Sequence, residues 1–341
     1  MRRRTGEPRR RAPRWGIITD VLQLDSWWAR LAAYFATSFR LDAILIYVPV
    51  VLLAALIVES LAVGRRKSTL ANLGKVSRID WTLYLVQQFN LSILLGYAAT
   101  LGVVYVLFRE LNGVAVDLIP AEFRITSAIA FFLATDCLGY WYHRLAHRFP
   151  ALWELHHVHH SAPDFNIVNA FRSHPIETVI SRLFVAVPMA ALFLPETSSL
   201  GAGVLAYLVL IKLLNLLQHS EIRSDFGWLG KIIVSPAHHR IHHSTNPDHF
   251  DRNFGNSFII WDKLFGTYCT APRNEIDAIK IGLDDYDRKA GVALYLWRTY
   301  NRFIYTAALS AVHFFDHIPR WRRARHIRPT EGTGRDSEAR H

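Results

Sequence analysis

Eleven of the chain's 17 histidines fall in two short stretches, and whatever fold the chain adopts has to accommodate them. The first stretch reads His143-Arg-Leu-Ala-His147, followed by His156-His157-Val-His159-His160. The second, some eighty residues on, reads His238-His239-Arg-Ile-His242-His243, with His249 just beyond. Neutral imidazole is the commonest nitrogen ligand for transition metals. Residues three and four apart share a helix face. An H-x-x-x-H pair is therefore expected to aim two imidazoles at one point, and H-x-x-H-H to aim three. One such pair and two such triplets give eight converging nitrogens, too many for one ion and suited to two. A solvated histidine tract is the plainer reading, but these boxes sit among Trp141, Tyr142, Leu155, Ile241 and Trp261, which argues for a structured site.

Hydrophobic residues make up 51% of the 341, and they are blocked into runs. Residues 43–63 carry one acid, Glu59; 91–108 are uncharged; 125–142 carry only Asp136; 179–194 only Arg182; and 200–217 only Lys212. Crossing a bilayer takes ~20 apolar residues. Three of the runs, 43–63, 91–108 and 125–142, clear the practical minimum of ~17. The last two, joined by Pro195-Glu-Thr-Ser-Ser199, read as a hairpin. The net charge of +11 is carried by residues that flank these runs and fill both tails. This suits a membrane surface rather than nucleic acid. Two cysteines, Cys137 and Cys269, exclude a disulfide framework and a thiolate zinc site. The arginine-rich start has no adjacent apolar core, so it does not read as a secretory signal.

The basic loop 64–80 is expected in the cytoplasm and the acid-balanced loop 109–124 outside. On that count the 125–142 run delivers His143 to the cytoplasmic face. The 179–217 hairpin then returns His219 to the same face. The arginines of the N-terminal arm would lie outside, against the positive-inside tendency, unless the segment 17–40 re-enters. The segment Phe254–Gly266 is too short to span and reads as cover over the histidines. Residues 290–315 read as a surface-lying amphipathic helix.

Many imidazoles and few carboxylates argue against calcium and magnesium and fit zinc, copper, iron or nickel. A hydrolytic zinc site needs about three protein ligands. Two nitrogen-ligated ions at a membrane face suit activation of dioxygen against an unactivated lipid C–H bond, with the metal doing the hard chemistry. A membrane protein that binds or transports metal without oxygenase activity is the alternative, but a transporter would hold its ligands near the bilayer midplane.

Several motifs extend beyond the boxes. They are Asp136-x3-Tyr140-Trp-Tyr-His143-Arg-x2-His147, Leu152-Trp-x2-His156-x2-His159-His160-Ser161, His239-Arg-x-His242-His243-Ser244, Asn253-Phe-Gly255 and Trp261-Asp262-x-Leu-Phe-Gly266-Thr-Tyr268. Over about residues 45–270 the chain resembles the fatty acid hydroxylase / sterol desaturase superfamily of membrane-bound non-haem di-iron enzymes, in a bacterial-type form. The resemblance implies an all-α integral membrane protein with four to five membrane-embedded helices. A cytoplasmic helical cap would carry the di-metal site at the inner membrane. It also implies three regions. A basic arm and interfacial helix occupy 1–40, the membrane domain 41–270, and an amphipathic helix with a basic disordered tail 271–341.

Carried over position by position, the catalytic metal ligands are His143, His147, His156, His159, His160, His239, His242 and His243, with His219 joining them as a ninth ligand. His157 and His238 fall where the pattern is free. Asn215 is open between a ligand and a bystander. His174 reads as supporting or structural. Asp136 could accept an imidazole N–H, and Glu154 and Asp262 could either orient ligands or pack helices. The implied cofactors are two iron ions, with zinc possible on overexpression because it binds imidazole more tightly than ferrous iron, and dioxygen as co-substrate. The implied partners are a lipid substrate, the bilayer and a separate electron donor (a ferredoxin, a cytochrome b5-like protein or a reductase), with no nucleic acid. Hydroxylation is favoured over desaturation because it needs only one well-placed C–H bond.

Overall fold

A computed structural model of the chain describes residues 47–89, 91, 124–192, 201–283 and 291–312. The arm at 1–40, most of the 91–108 run, the hairpin turn 195–199 and the C-terminal tail lie outside the described residues.

The architecture is helical, with two isolated β-bridges, Ile233 with Phe258 and Ser244 with Ile281. Ten α-helices are described: α1 (Val48–Val63), α2 (Arg78–Gln88), α3 (Arg124–Arg148), α4 (Pro150–His160), α5 (Pro175–Leu192), α6 (Gly201–Gln218), α7 (Pro236–His242), α8 (Ile260–Leu264), α9 (Arg273–Ala278) and α10 (Val292–Val312). Among the described residues no helix is long and apolar enough to cross a membrane. The 200–217 run coincides with α6, and the 179–194 run begins inside α5.

Local chemistry sets the ends that matter. Phe149 is extended, and Pro150 opens α4 at its first helical position, where a missing N–H costs nothing. The long α3 therefore stops just after His147, and a second helix starts at once beside it. Ser235 caps α7 by accepting the His238 N–H, and Pro236 again sits at the first position. The His238 ring closes a capping box in the place where Glu or Gln is usual.

Two apolar clusters fix the frame. Val51, Leu52, Ala55 and Leu56 of α1 pack with Leu216 and Leu217 of α6 and with Ile167 and Phe171. Ile79 and Leu83 of α2 pack with Val158 of α4 and Tyr295 of α10. The helix expected over 290–315 thus forms, but it does not simply lie on the surface. It packs along α4, burying Tyr295 and Thr299. Glu59 lies buried in the last turns of α1. Its carboxylate accepts from Thr69 N, Thr69 Oγ1 and Glu221 N, tying the 64–69 turn to the chain just after His219.

Candidate metal centre

The last two turns of α3 supply His143 and His147; α4 supplies His156, His159 and His160; His219 follows α6; and α7 with its cap supplies His239, His242 and His243. The structure sorts these nine into two groups, in each of which one nitrogen per ring lies within 4.8 Å of all the others. The first is His143, His147, His156, His160 and His242; the second is His159, His219, His239 and His243. The expectation that each H-x-x-H-H box aims three imidazoles at one point is therefore corrected. Each box divides between the groups. At about 100° per residue, positions i and i+4 differ by about 40° around the helix, whereas i+3 lies about 60° to the other side. His156 and His160 stay together and His159 leaves; His239 and His243 stay together and His242 leaves.

In the second group, His219 Nε2 lies 3.3 Å from His159 Nε2 and 3.0 Å from His239 Nε2. His243 Nε2 lies 3.1 Å from His159 Nε2 and 3.0 Å from His239 Nε2. Imidazole nitrogens about 2.1 Å from one ion in a tetrahedron would stand about 3.4 Å apart. In the first group, the Nε2 atoms of His143, His156, His160 and His242 are buried with no hydrogen-bond partner among the described residues. Buried polar atoms are rarely left so. An all-imidazole donor set whose nitrogens converge at ligand spacing fits a pair of transition-metal ions, and does not fit calcium or magnesium.

The outer nitrogens fix the tautomers. Nδ1–H donates to Phe254 O from His143 (2.9 Å), to Arg172 O from His159 (3.1 Å), to Asn215 O from His219 (2.9 Å) and to Arg252 O from His242 (2.8 Å). Each leaves a lone pair on Nε2, as ligation requires. His156 Nδ1 meets the Glu177 carboxylate at 2.5 Å, a carboxylate–histidine pair. Burial, reinforced by neighbouring imidazoles, holds His143, His159, His160, His239 and His243 well below the ordinary histidine range. Burial also pushes His242 down to about 3 and His219 to about 4. These rings are neutral donors at pH 7.

The supporting candidates behave differently from one another. Asp136 touches no imidazole. It accepts from Ser257 N, Phe258 N and Trp261 Nε1, at 3.1, 3.1 and 2.9 Å. The reading that it accepts an imidazole N–H is corrected: Asp136 lies seven residues before His143, too far back along the helix, and what it fastens is the loop after the third box. Asp262 accepts from Phe254 N, Gly255 N and Thr267 Oγ1, so it shapes the turn whose carbonyl orients His143. A Cβ on Gly255 would sit 2.7 Å from the Asp262 carboxylate, so only glycine fits there. Glu154 pairs with Arg302 of α10 at 2.9 Å. His174 spends both nitrogens on backbone, accepting from Ile176 N and donating to Leu296 O. Asn215 contributes its carbonyl to His219. His157 and His238 stand outside both groups. His157 reaches Glu154 O and the Arg302 guanidinium.

Three residues carry parts of the site that the sequence reading left unassigned. Glu177 sat in view, three residues after His174, and a carboxylate in the first turn of a helix following the second box was the available signal. Asn253, in a left-handed conformation (φ 55°) that asparagine tolerates, binds His238 O, Cys269 O and Cys269 N. Arg172, fully buried, is held by Asp80, Ser161 and Ser77 while its carbonyl orients His159. A cavity of about 630 Å³ between α3, α5 and α6 reaches His143 and His156 of the first group and His159, His219 and His239 of the second.

Comparison with known proteins agrees with this geometry. Residues 128–267 match the fatty acid hydroxylase family. The chain is 34% identical over 163 residues to human alkylglycerol monooxygenase, covering 44% of this chain and 34% of that protein. It is 33% identical over 134 residues to an ornithine lipid hydroxylase of Rhizobium tropici, covering 39% of each. It is 28% identical over 154 residues to a Delta(7)-sterol 5(6)-desaturase of Gibberella zeae, covering 45% of this chain and 44% of that one. The chain thus spans less than half the length of these relatives. No solved structure matches it. Over residues 128–267 the chain is thus similar to fatty acid hydroxylases, and its relatives include lipid hydroxylases and sterol desaturases.

Proposed function

We propose that the chain is a membrane-embedded, dioxygen-dependent lipid hydroxylase that works with two irons and a separate electron donor. The observation that carries this reading is the pair of imidazole groups whose nitrogens converge at ligand spacing and that open on one cavity. The first group would hold one ion through His143, His147, His156, His160 and His242, and the second the other through His159, His219, His239 and His243. When bound, the ions supply the activation of dioxygen that an unactivated C–H bond demands.

The protein's own part is positioning. The Nδ1 contacts to Phe254, Arg172, Asn215, Arg252 and Glu177 keep each ring turned inward with its ligating nitrogen bare. The cavity wall, with Tyr142 and Val185 among its side chains, would set which carbon of an acyl or alkyl chain faces the metals. Oxygen insertion is preferred to desaturation because one C–H bond in register suffices, and two of the relatives described are named as a monooxygenase and a hydroxylase. The apolar runs and the distribution of Lys and Arg support a bacterial inner-membrane location with the site on the cytoplasmic side, where reductants are.

The test is incubation of the full chain with membrane lipids, a reducing system and isotopically labelled dioxygen. The expected result is a lipid product carrying the label. An unlabelled product with a new double bond overturns hydroxylation, and turnover without dioxygen overturns the oxygenase reading.

A further inference from the structure

Among the exposed apolar surfaces of the described residues, one lies beside the metal groups and is not used by the metal chemistry. It comes from two segments locked side by side. Val234 N donates to Ser257 O, Ile259 N donates to Ile232 O, and Lys263 Nζ donates to Lys231 O. Five large apolar side chains stand out from this unit: Trp228 (69% exposed), Leu264 (66%), Ile260 (52%), Ile232 (50%) and Leu229 (41%). An apolar cluster of this size on an otherwise packed unit marks an interaction site.

Its occupant follows from where the unit is fastened. Asp136 binds Ser257 N, Phe258 N and Trp261 Nε1, and Asn256 packs so close to α3 that a Cβ on Gly139 would collide with its side chain. Asp136 lies seven residues before His143, or about 10 Å along the helix. The unit is therefore fixed to the apolar 125–142 stretch of α3 as well as, through Phe254 O and Phe265 O, to its histidine-bearing end. On that stretch Ile129 and Leu133, which share the face of Asp136 by helical spacing, are themselves exposed. The apolar surface thus continues along the part of α3 that the membrane reading assigns to lipid. Its edge carries two exposed cations, Lys231 and Lys263, and its most exposed side chain is a tryptophan. Tryptophan with lysine at an apolar edge is the composition of a membrane–water interface.

We propose that Trp228, Leu229, Ile232, Ile260 and Leu264 form an interfacial anchor that inserts into an anionic lipid surface, with Lys231 and Lys263 at the headgroups. The anchor hangs from the loop that also orients His143, so it would hold the cavity at a fixed depth relative to the acyl chains. This rests on the membrane reading above, and the experiment separates the two.

In the full chain with C137A and C269S, a single cysteine is introduced as Leu264→Cys and labelled with an environment-sensitive fluorophore. The protein is reconstituted in vesicles of phosphatidylcholine and phosphatidylglycerol. Val50→Cys on the apolar α1 and Asp248→Cys on the polar side serve as references. Lipids brominated on the acyl chain are expected to at least halve emission at positions 264 and 50, with iodide quenching only at 248. Ile232→Cys, on the partner segment, should repeat the result of 264 and guards against a misfolded variant. If 50 is quenched by lipid while 264 and 232 are open to iodide, or shielded from both quenchers as beneath another protein surface, the anchor is wrong and the membrane reading stands. If 50 also reads as aqueous, both fall.

Discussion

The α4 helix and the α7 helix carry the same H-x-x-H-H spacing and divide it in opposite senses. α4 gives its i and i+4 rings, His156 and His160, to the first group and lends His159 to the second. α7 gives His239 and His243 to the second group and lends His242 to the first. The two boxes are reciprocal, so neither group can form from one box alone, and helix geometry makes the exchange natural because i+3 and i+4 lie on opposite sides of i. The groups also differ in how they are braced. The first leans on the Glu177 carboxylate and on the carbonyls of Arg252 and Phe254. In the second, His239 Nδ1 and His243 Nδ1 are buried with no hydrogen-bond partner among the described residues. The lesson is that two sites built from one repeated motif need not be equivalent.

The strongest test of this exchange removes the lent rings. His242→Ala should strip the first group and His159→Ala the second. Each should lower elemental metal from two ions per chain to one and reduce turnover to background. If both variants keep two ions, the division into groups is wrong.

The next effect is acid sensitivity of the metal-free protein. In the folded chain His242 titrates near 3 and His219 near 4, whereas in the unfolded chain both take up protons near 6.5. Between those values the unfolded state binds more protons, so stability rises with pH. It should be fully present above about pH 6.5 and be lost progressively as pH falls toward 4 and then 3. Metal should leave over the same descent, since only neutral imidazole ligates. Denaturant midpoints that stay flat from pH 7 to 4 would contradict the burial of these rings.

Glu177→Gln sharpens the contrast in bracing. It removes the carboxylate behind His156 and should lower metal affinity or activity by roughly 10–100-fold. A chelator titration reads this directly, and the loss should fall on one of the two ions rather than on both.

The boxes, the nine rings and the helical class were legible from the sequence because helical spacing and imidazole chemistry are local. The braces were not. Glu177 reaches His156 across 21 residues, and Phe254 O reaches His143 across 111. No spacing rule spans such separations. Asp136 shows the same limit from the other side. A buried carboxylate near a ligand helix reads as an imidazole acceptor, and only the fold shows that its partners are Ser257, Phe258 and Trp261. Asp136→Asn therefore should cost about 1–3 kcal/mol of stability through one mismatched buried acceptor, read as a lower thermal midpoint, with two ions still bound. Loss of metal in that variant would return Asp136 to the ligands' side.

The smallest effects belong to the histidines inside the boxes but outside both groups. His238 serves as the third residue of the α7 capping box, where its ring accepts from Ser235 N and its own N–H donates to Ser235 Oγ. Replacing it with alanine removes only the ring's half of that exchange, a loss of about 0.5–1.5 kcal/mol. His157 lies between two ligands in sequence, yet its ring turns away to Glu154 O and Arg302, fastening α4 to α10. His157→Ala should loosen that fastening and leave metal content and turnover within a few-fold of the parent chain. Since His156 and His157 are adjacent, this variant is also the most exacting check on the register of the box. One residue along a helix is about 100°, so a His157→Ala protein that loses an ion would mean that α4 is rotated and that the sorting of His156, His159 and His160 must be redrawn.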